Sequence, residues 1–242
     1  MVRKYICRDP MTAARMASGY ILERLERALA TQEFATFALS GGATPKPMFD
    51  QMAAAHFPWP KVHFFWVDER AVPPNDARSN YRLAAESLLI PARVPQANIH
   101  RIRAELVPAA AAHACSEEIR TFFGLQPGEM PRFDVLHRGI GPDAHTASLF
   151  PGEPLLDDRQ GIAAAVFVAK LGEWRITLLP GVLLAAADTV MLASGADKAE
   201  AVRAVFQEPY DPRRYPAQLG TRDNRPTSWF LDEAAAKLLE SL

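Results

Sequence analysis

Residues Phe133 to Gly152, FDVLHRGIGPDAHTASLFPG, decide how this chain is expected to fold. Phe133 to Arg138 reads as a strand. It runs into a turn with glycines at 139 and 141, which delivers Asp143 and His145 to the point where the backbone reverses. In a chain that alternates strands with helices, a step of this kind sits at the carboxyl edge of a sheet, where such folds bind ligands. Glycine has no Cβ, so the loop can take strained dihedrals and let a ligand approach the backbone closely. Ser148 to Gly152 then turn the chain away.

Working outward toward the N-terminus, Asp9-Pro10 starts a helix in which Ala14, Ala17, Ile21, Leu25 and Ala28 make one apolar stripe up to about Ala30. Phe34 to Leu39 fits a strand buried on both faces. It ends in Ser40-Gly41-Gly42-Ala43-Thr44-Pro45, where Thr44 is expected to cap and Pro45 to open a helix through about Ala55. The free N–H groups of that helix start and of the glycines would then point at one spot, a ready site for phosphate. A plain strand-turn-helix connection is the competing account. Val62 to Val67 is another apolar strand; it stops at Asp68-Glu69-Arg70, a charged set that a solvated turn would also explain. Ser79 or Asn80 begins a helix to about Leu89, and Ala109 to Phe123 forms another, in which His113 is a surface or packing residue.

Toward the C-terminus, Ile162 to Val168 and Arg175 to Leu179 read as strands, the second ended by Pro180-Gly181. Thr189 to Ser194 is a further strand, followed by a helix for which Asp197 and Glu200 resemble a capping box. Lys198 lies in the first turn of that helix, unfavourably placed against the dipole unless an anion is held beside it; a solvated surface lysine is the alternative. Residues 208–226, rich in Pro and Arg, read as a long loop, Ser228 to Leu231 as a last strand, and Asp232 as the cap of a helix to about Glu240. The alternation predicts an α/β fold with a doubly wound, mostly parallel, Rossmann-like sheet flanked by helices, built as a single domain over residues 1–242.

A formal charge of −1 gives no general attraction to nucleic acid or an anionic membrane, so any anion recognition must be local. No apolar run approaches 18 residues, and MVRKYICRDP lacks the apolar core of a signal peptide, so the expected compartment is the cytoplasm. Cys7 and Cys115 show no metal-ligand or redox spacing and are expected to be reduced and buried.

If the strand ends at Leu39, Val67, Arg138 and Ser194 share one edge, four loops meet there. They carry Gly41, Gly42 and Thr44; Asp68 and Arg70; Asp143 and His145; and Lys198, with Arg175 nearby. This is a phosphate-binding set beside one titratable imidazole. Neither a GxGxxG with its ribose-binding acid nor a GxxxxGK[ST] loop is present, so a small phosphorylated substrate suits it better than a nucleotide. Metal binding by Asp143, His145 and a third ligand has no HxxxH or cysteine pair to support it, and no metal or other cofactor is expected.

Four blocks resemble the 6-phosphogluconolactonases: LSGGATPKPMF (Leu39 to Phe49), FFWVDERAVPPNDARSNYRL (Phe64 to Leu83), GIGPDAHTASLFPG (Gly139 to Gly152), and RITL followed by SGADKAEAV (Arg175 to Leu178, Ser194 to Val202). The resemblance runs in order from about Phe34 to Phe230, and its most specific parts are the third block and the DER segment. It implies metal-free hydrolysis of 6-phospho-D-glucono-1,5-lactone to 6-phosphogluconate in the oxidative pentose phosphate pathway, by a monomer. It also implies the fold shared with glucosamine-6-phosphate deaminase and ribose-5-phosphate isomerase. On that resemblance His145 matches the general base that activates water, Asp143 its orienting partner, and Gly41, Gly42, Thr44, Arg70, Arg175 and Lys198 the phosphate end.

Two departures stand out. His137 and Arg138 occupy positions where the family usually has apolar strand residues; a buried Arg138 would be costly unless it paired with an acid or reached the strand's exposed end. Ala144 replaces the usual glycine, which is expected to limit that turn to dihedrals an L-residue tolerates. Two rival functions remain open. A glucosamine-6-phosphate deaminase would use Asp68 as its carbon-acid base, although HTASLFPG and the Val72-Pro73-Pro74 continuation resemble the lactonases more closely. A non-catalytic sugar-phosphate sensor would need the cradle but not His145, and would usually carry a DNA-binding segment, which this chain lacks.

Overall fold

The computed structural model describes residues 2–222 and 225–240. In chain order the strands are β1 (Val2–Cys7), β2 (Ala35–Leu39), β3 (Val62–Trp66), β4 (Asp68–Arg70), β5 (Ile99–His100), β6 (Val135–Arg138), β7 (Ala163–Val168), β8 (Glu173–Leu178), β9 (Asp188–Ala193) and β10 (Thr227–Asp232). The helices are α1 (Pro10–Leu29), α2 (Lys46–Ala53), α3 (Asn80–Ala84), α4 (Pro108–Phe123), α5 (Pro180–Ala185), α6 (Ala199–Gln207) and α7 (Glu233–Ala236).

Seven strands form one sheet in the order β1-β10-β9-β6-β2-β3-β5, with every neighbouring pair parallel. Every residue of β2, β6 and β10 is buried, as strands covered on both faces require. From β2 the chain moves outward through β3 to β5, whereas from β6 it moves the other way, through β9. The loops leaving β2 and β6 therefore diverge, and the crevice between them is the switch point at which doubly wound sheets bind ligands.

A second, antiparallel sheet has the order β4-β8-β7 and covers this edge. Val67 joins the two sheets: its N–H donates to Leu39 O at 2.8 Å in the main sheet, while its carbonyl accepts from Leu178 N at 2.8 Å in the small one. The charged Asp68-Glu69-Arg70 is thus a strand rather than a solvated turn, and Asp68 and Glu69 are buried.

Several boundaries differ from expectation. Pro45, not Thr44, occupies the N-cap of α2, and no side chain caps that helix. The Asp197–Glu200 capping box does not form, because a 3₁₀ turn at Ala196–Lys198 precedes α6 and Asp197 Oδ2 takes the Lys198 ammonium at 2.8 Å instead. β1, the two-residue β5 and the short α5 carry too little periodicity to be read from sequence. The last helix, capped by Asp232 accepting from Ala235 N at 2.7 Å, ends at Ala236. Of the 208–226 loop, residues 223–224 lie outside the described residues; the preceding part contains a 3₁₀ turn at Pro216–Gln218. Cys7 and Cys115 are free and buried. Among the described residues no helix is long and apolar enough to cross a membrane.

Glu69 holds the start of α3 against β4. Its carboxylate accepts from the N–H groups of Arg70, Asn80 and Tyr81, each at 2.8 Å, and from the Ser79 hydroxyl at 3.0 Å. Burial pushes this carboxyl above its usual range, and the four hydrogen bonds work against that push. Glu69→Ala strands buried donors, so unfolding in urea is expected to show a loss of about 2–4 kcal/mol.

Candidate active site

The carboxyl ends of β2, β3, β6 and β9 bring their loops into one cleft of about 280 Å³. Gly41, Gly42, Thr44, Asp68, Arg70, His145, Arg175 and Lys198 all line it, so eight of the nine residues picked out from sequence share one space. Asp143, the ninth, stands behind His145 and reaches the cleft through that ring.

Asp68 closes the floor. Its Oδ1 accepts from the Ser40 hydroxyl at 2.7 Å and its Oδ2 from the Ser148 hydroxyl at 2.8 Å, while its backbone carbonyl accepts from Asn80 Nδ2 at 2.8 Å. Gly41 is needed beside this group, because a Cβ there would stand 2.0 Å from Asn80 Oδ1.

One end of the cleft is cationic. Arg70 on β4 and Arg175 on β8 are directly opposed in the antiparallel register, an arrangement that costs energy between like charges unless an anion lies between them. Glu173 partly offsets Arg175, accepting from its Nε at 3.0 Å, and Arg70 Nη1 donates to Arg78 O. Lys198 and the Gly41-Gly42 turn line the same cleft.

The other end carries the imidazole. His145 Nδ1 lies 2.6 Å from Asp143 Oδ1, which also accepts from the His145 N–H at 3.2 Å. Partial burial acts to raise the Asp143 carboxyl, but hydrogen bonds from His145 and Lys170 outweigh it and hold it well below the usual carboxylate range. An ionised carboxylate can only accept, so Nδ1 carries a proton, and in the neutral ring Nε2 is the nitrogen with the lone pair. Gly141 makes room for this ring: a Cβ at that position would stand 2.0 Å from both His145 Cε1 and Nδ1.

The two departures now have physical accounts. Arg138 is fully buried and donates through Nη2 to Leu219 O at 2.7 Å, a carbonyl on the long loop. Ala144 does adopt a left-handed conformation, φ 63°, despite its Cβ. In that turn its carbonyl receives Ala217 N–H at 2.9 Å, and Gly152 N–H donates to Arg213 O at 2.8 Å. The long loop thereby backs the catalytic loop at three points.

Sequence reasoning passed over four contributors: Ser40, Asn80, Ser148 and Lys170. The first three lie inside the quoted blocks, but short polar side chains there read equally well as turn chemistry. Lys170 sits in VAKLG, where nothing local signals its contact with Asp143, 27 residues away in sequence. Among the described residues no group of three or more His, Cys, Asp or Glu could hold a metal ion.

The family model of glucosamine-6-phosphate isomerases and 6-phosphogluconolactonase matches residues 8–229. The chain belongs to that family. It is 38% identical over 216 residues to the 6-phosphogluconolactonase of Nostoc sp., covering 89% of each chain. Among solved structures it is similar to the devB protein, at TM-score 0.89 and 32% identity over 99% of this chain and 100% of that one. The 6-phosphogluconolactonase from Trypanosoma brucei superposes at TM-score 0.86 and 26% identity, covering 99% of each.

His137 supplies a pH test. Burial, reinforced by neighbouring Arg138, pushes its imidazole down to about 3, and Ser40 N–H donates to its Nδ1 at 3.4 Å. The folded state thus refuses a proton that the unfolded chain accepts below about pH 6.5, so wild-type stability falls as pH drops through this window. Urea unfolding at a series of pH values is expected to show His137→Leu with a shallower loss between pH ~6 and ~4, by about 1.4 kcal/mol per pH unit. Equal slopes would show that His137 titrates alike in both states.

Proposed function

We propose that this protein hydrolyses 6-phospho-D-glucono-1,5-lactone to 6-phosphogluconate, the second step of the oxidative pentose phosphate pathway. The single observation that carries the reading is the juxtaposition, in one cleft, of His145, its Nδ1 held by Asp143, and the opposed Arg70–Arg175 pair. The relatives named above support the same activity.

In this reading the phosphate lies against Arg70, Arg175, Lys198 and the Gly41-Gly42 turn, with Thr44 beside it. The uncapped start of α2 faces the same anion. Remote binding of that kind fixes the lactone carbon against the attacking water. His145 Nε2 takes a proton from the water as its oxygen bonds to C1. Asp143 steadies the imidazolium that forms, and when the bond from C1 to the ring oxygen breaks, the same proton passes to the leaving alkoxide. The working unit in this reading is one domain of one chain, as the family resemblance implies, and a cytoplasmic setting accords with two unpaired cysteines.

The deaminase reading is the weaker one here. It asks Asp68 for a carboxylate free to abstract a proton from carbon, and both Asp68 oxygens are engaged by serine hydroxyls. A sensor would have no use for the Asp143–His145 pair.

The test is acid release from freshly generated lactone with a chelator present and spontaneous hydrolysis subtracted. Wild type is expected to accelerate it. His145→Ala should lower kcat by about 10²- to 10⁴-fold with 6-phosphogluconate binding retained, and Arg175→Gln should raise KM by about tenfold or more with a smaller effect on kcat. No wild-type acceleration over background would sink the lactonase reading.

A further inference from the structure

Lys170 stands on the 3₁₀ turn Ala169–Leu171 that joins β7 to β8, and its side chain is half exposed. It nevertheless commits its ammonium to the site. Nζ donates to Asp143 Oδ2, the carboxylate oxygen that His145 does not use, and lies 4.3 Å from the centroid of the Phe150 ring. That ring in turn packs against the His145 imidazole, with centroids 4.2 Å apart. Asp143 therefore has one oxygen fixed by the imidazole and the other by the lysine, and Phe150 contacts both of its partners.

We propose that Lys170 is a positioning residue of this site: it locks the Asp143 carboxylate against His145 Nδ1 and offsets part of its charge, so that the imidazole stays neutral with Nε2 free to accept a proton. The inference rests on the lactonase reading for its catalytic meaning, but the geometry behind it does not.

Two physical effects are joined here. A carboxylate held at both oxygens cannot rotate away from the ring, so the tautomer that leaves Nε2 unprotonated is enforced. A carboxylate beside an imidazole also favours its charged, inactive form; an ammonium on the same carboxylate weakens that pull. The remaining titratable and charged groups around the ring come from other elements: His137 from β6, Asp68 and Arg70 from β4, Arg175 from β8 and Lys198 from the turn before α6. Lys170, in contrast to these, is bonded to the acid that His145 itself uses. The β7–β8 hairpin thereby acts on the base without touching it. Lys170→Arg keeps the charge and the reach, whereas Lys170→Met keeps only the apolar stem over Phe150.

The decisive experiment is an NMR titration of the His145 imidazole, assigned by its loss in His145→Ala, in wild type, Lys170→Met and Lys170→Arg. Lys170→Met is expected to move the His145 titration midpoint up by about 0.5 to 1 pH unit and Lys170→Arg to restore it. The acid limb of kcat/KM for the lactone should move with it, while KM stays within about twofold. An unmoved midpoint in Lys170→Met overturns the proposal, and so does a rise in KM with the acid limb in place, which would make Lys170 a substrate contact. Should wild type prove inactive on the lactone, the proposed reaction fails, yet the titration still decides whether Lys170 governs the imidazole.

Discussion

The carboxylate of Asp68 is the point on which the rest of this structure depends. Through Ser40 it holds the end of β2 and through Ser148 the loop that follows β6, while the backbone carbonyl of the same residue takes Asn80 at the start of α3. These segments are remote in sequence, and burial makes each of the bonds costly to leave unmade. Val67, one residue earlier, has already divided its two backbone groups between the sheets. The junction from Val67 to Glu69 is therefore where the parallel sheet, the antiparallel sheet and the catalytic loop are fixed with respect to each other. A solvated turn in its place would leave the arginine pair and the imidazole without a common frame.

Electrostatics are segregated along the cleft. Two arginines meet where β4 and β8 run antiparallel, and the acid that orients the imidazole lies behind the ring, outside the space a ligand would fill. Below them, the strand that delivers the catalytic loop carries two polar residues on opposite faces. His137 remains uncharged because burial and Arg138 disfavour its protonation. Arg138 donates to a loop carbonyl, so a charge that looks costly on the strand helps to anchor residues far along the chain.

Much of this was legible in the sequence, for identifiable reasons. β2, β3 and β9 are largely apolar runs ending in Gly or charged turns, and such runs announce buried parallel strands; β6 was marked instead by Phe133 to Leu136 and the glycine loop that follows. The residues of the cleft were legible because the loops at those strand ends carry their chemistry in short, contiguous motifs. What could not be read depends on distance in the chain. Lys170 reaches Asp143 only once β7 and β8 have paired, and the capping roles expected of Thr44 and Asp197 lost to partners that tertiary packing supplied. Ala144 shows the same competition: a local dihedral preference yields to a carbonyl that Ala217 requires.

The place of β1 in the sheet bears on how the molecule is made. This strand pairs along its whole length with β10 alone, Val2 opposite Thr227 and Cys7 opposite Asp232. During synthesis it emerges before the other described elements and has no strand partner until nearly all of them have left the ribosome. Closing so long a loop is slow, and until it closes the nascent chain presents an unpaired strand and the bare edge of β10's neighbour, β9, to whatever is nearby. Among the described strands the earliest in the chain is thus the last that can be placed, and biogenesis, rather than the finished fold, is where this topology exposes the protein to misassembly.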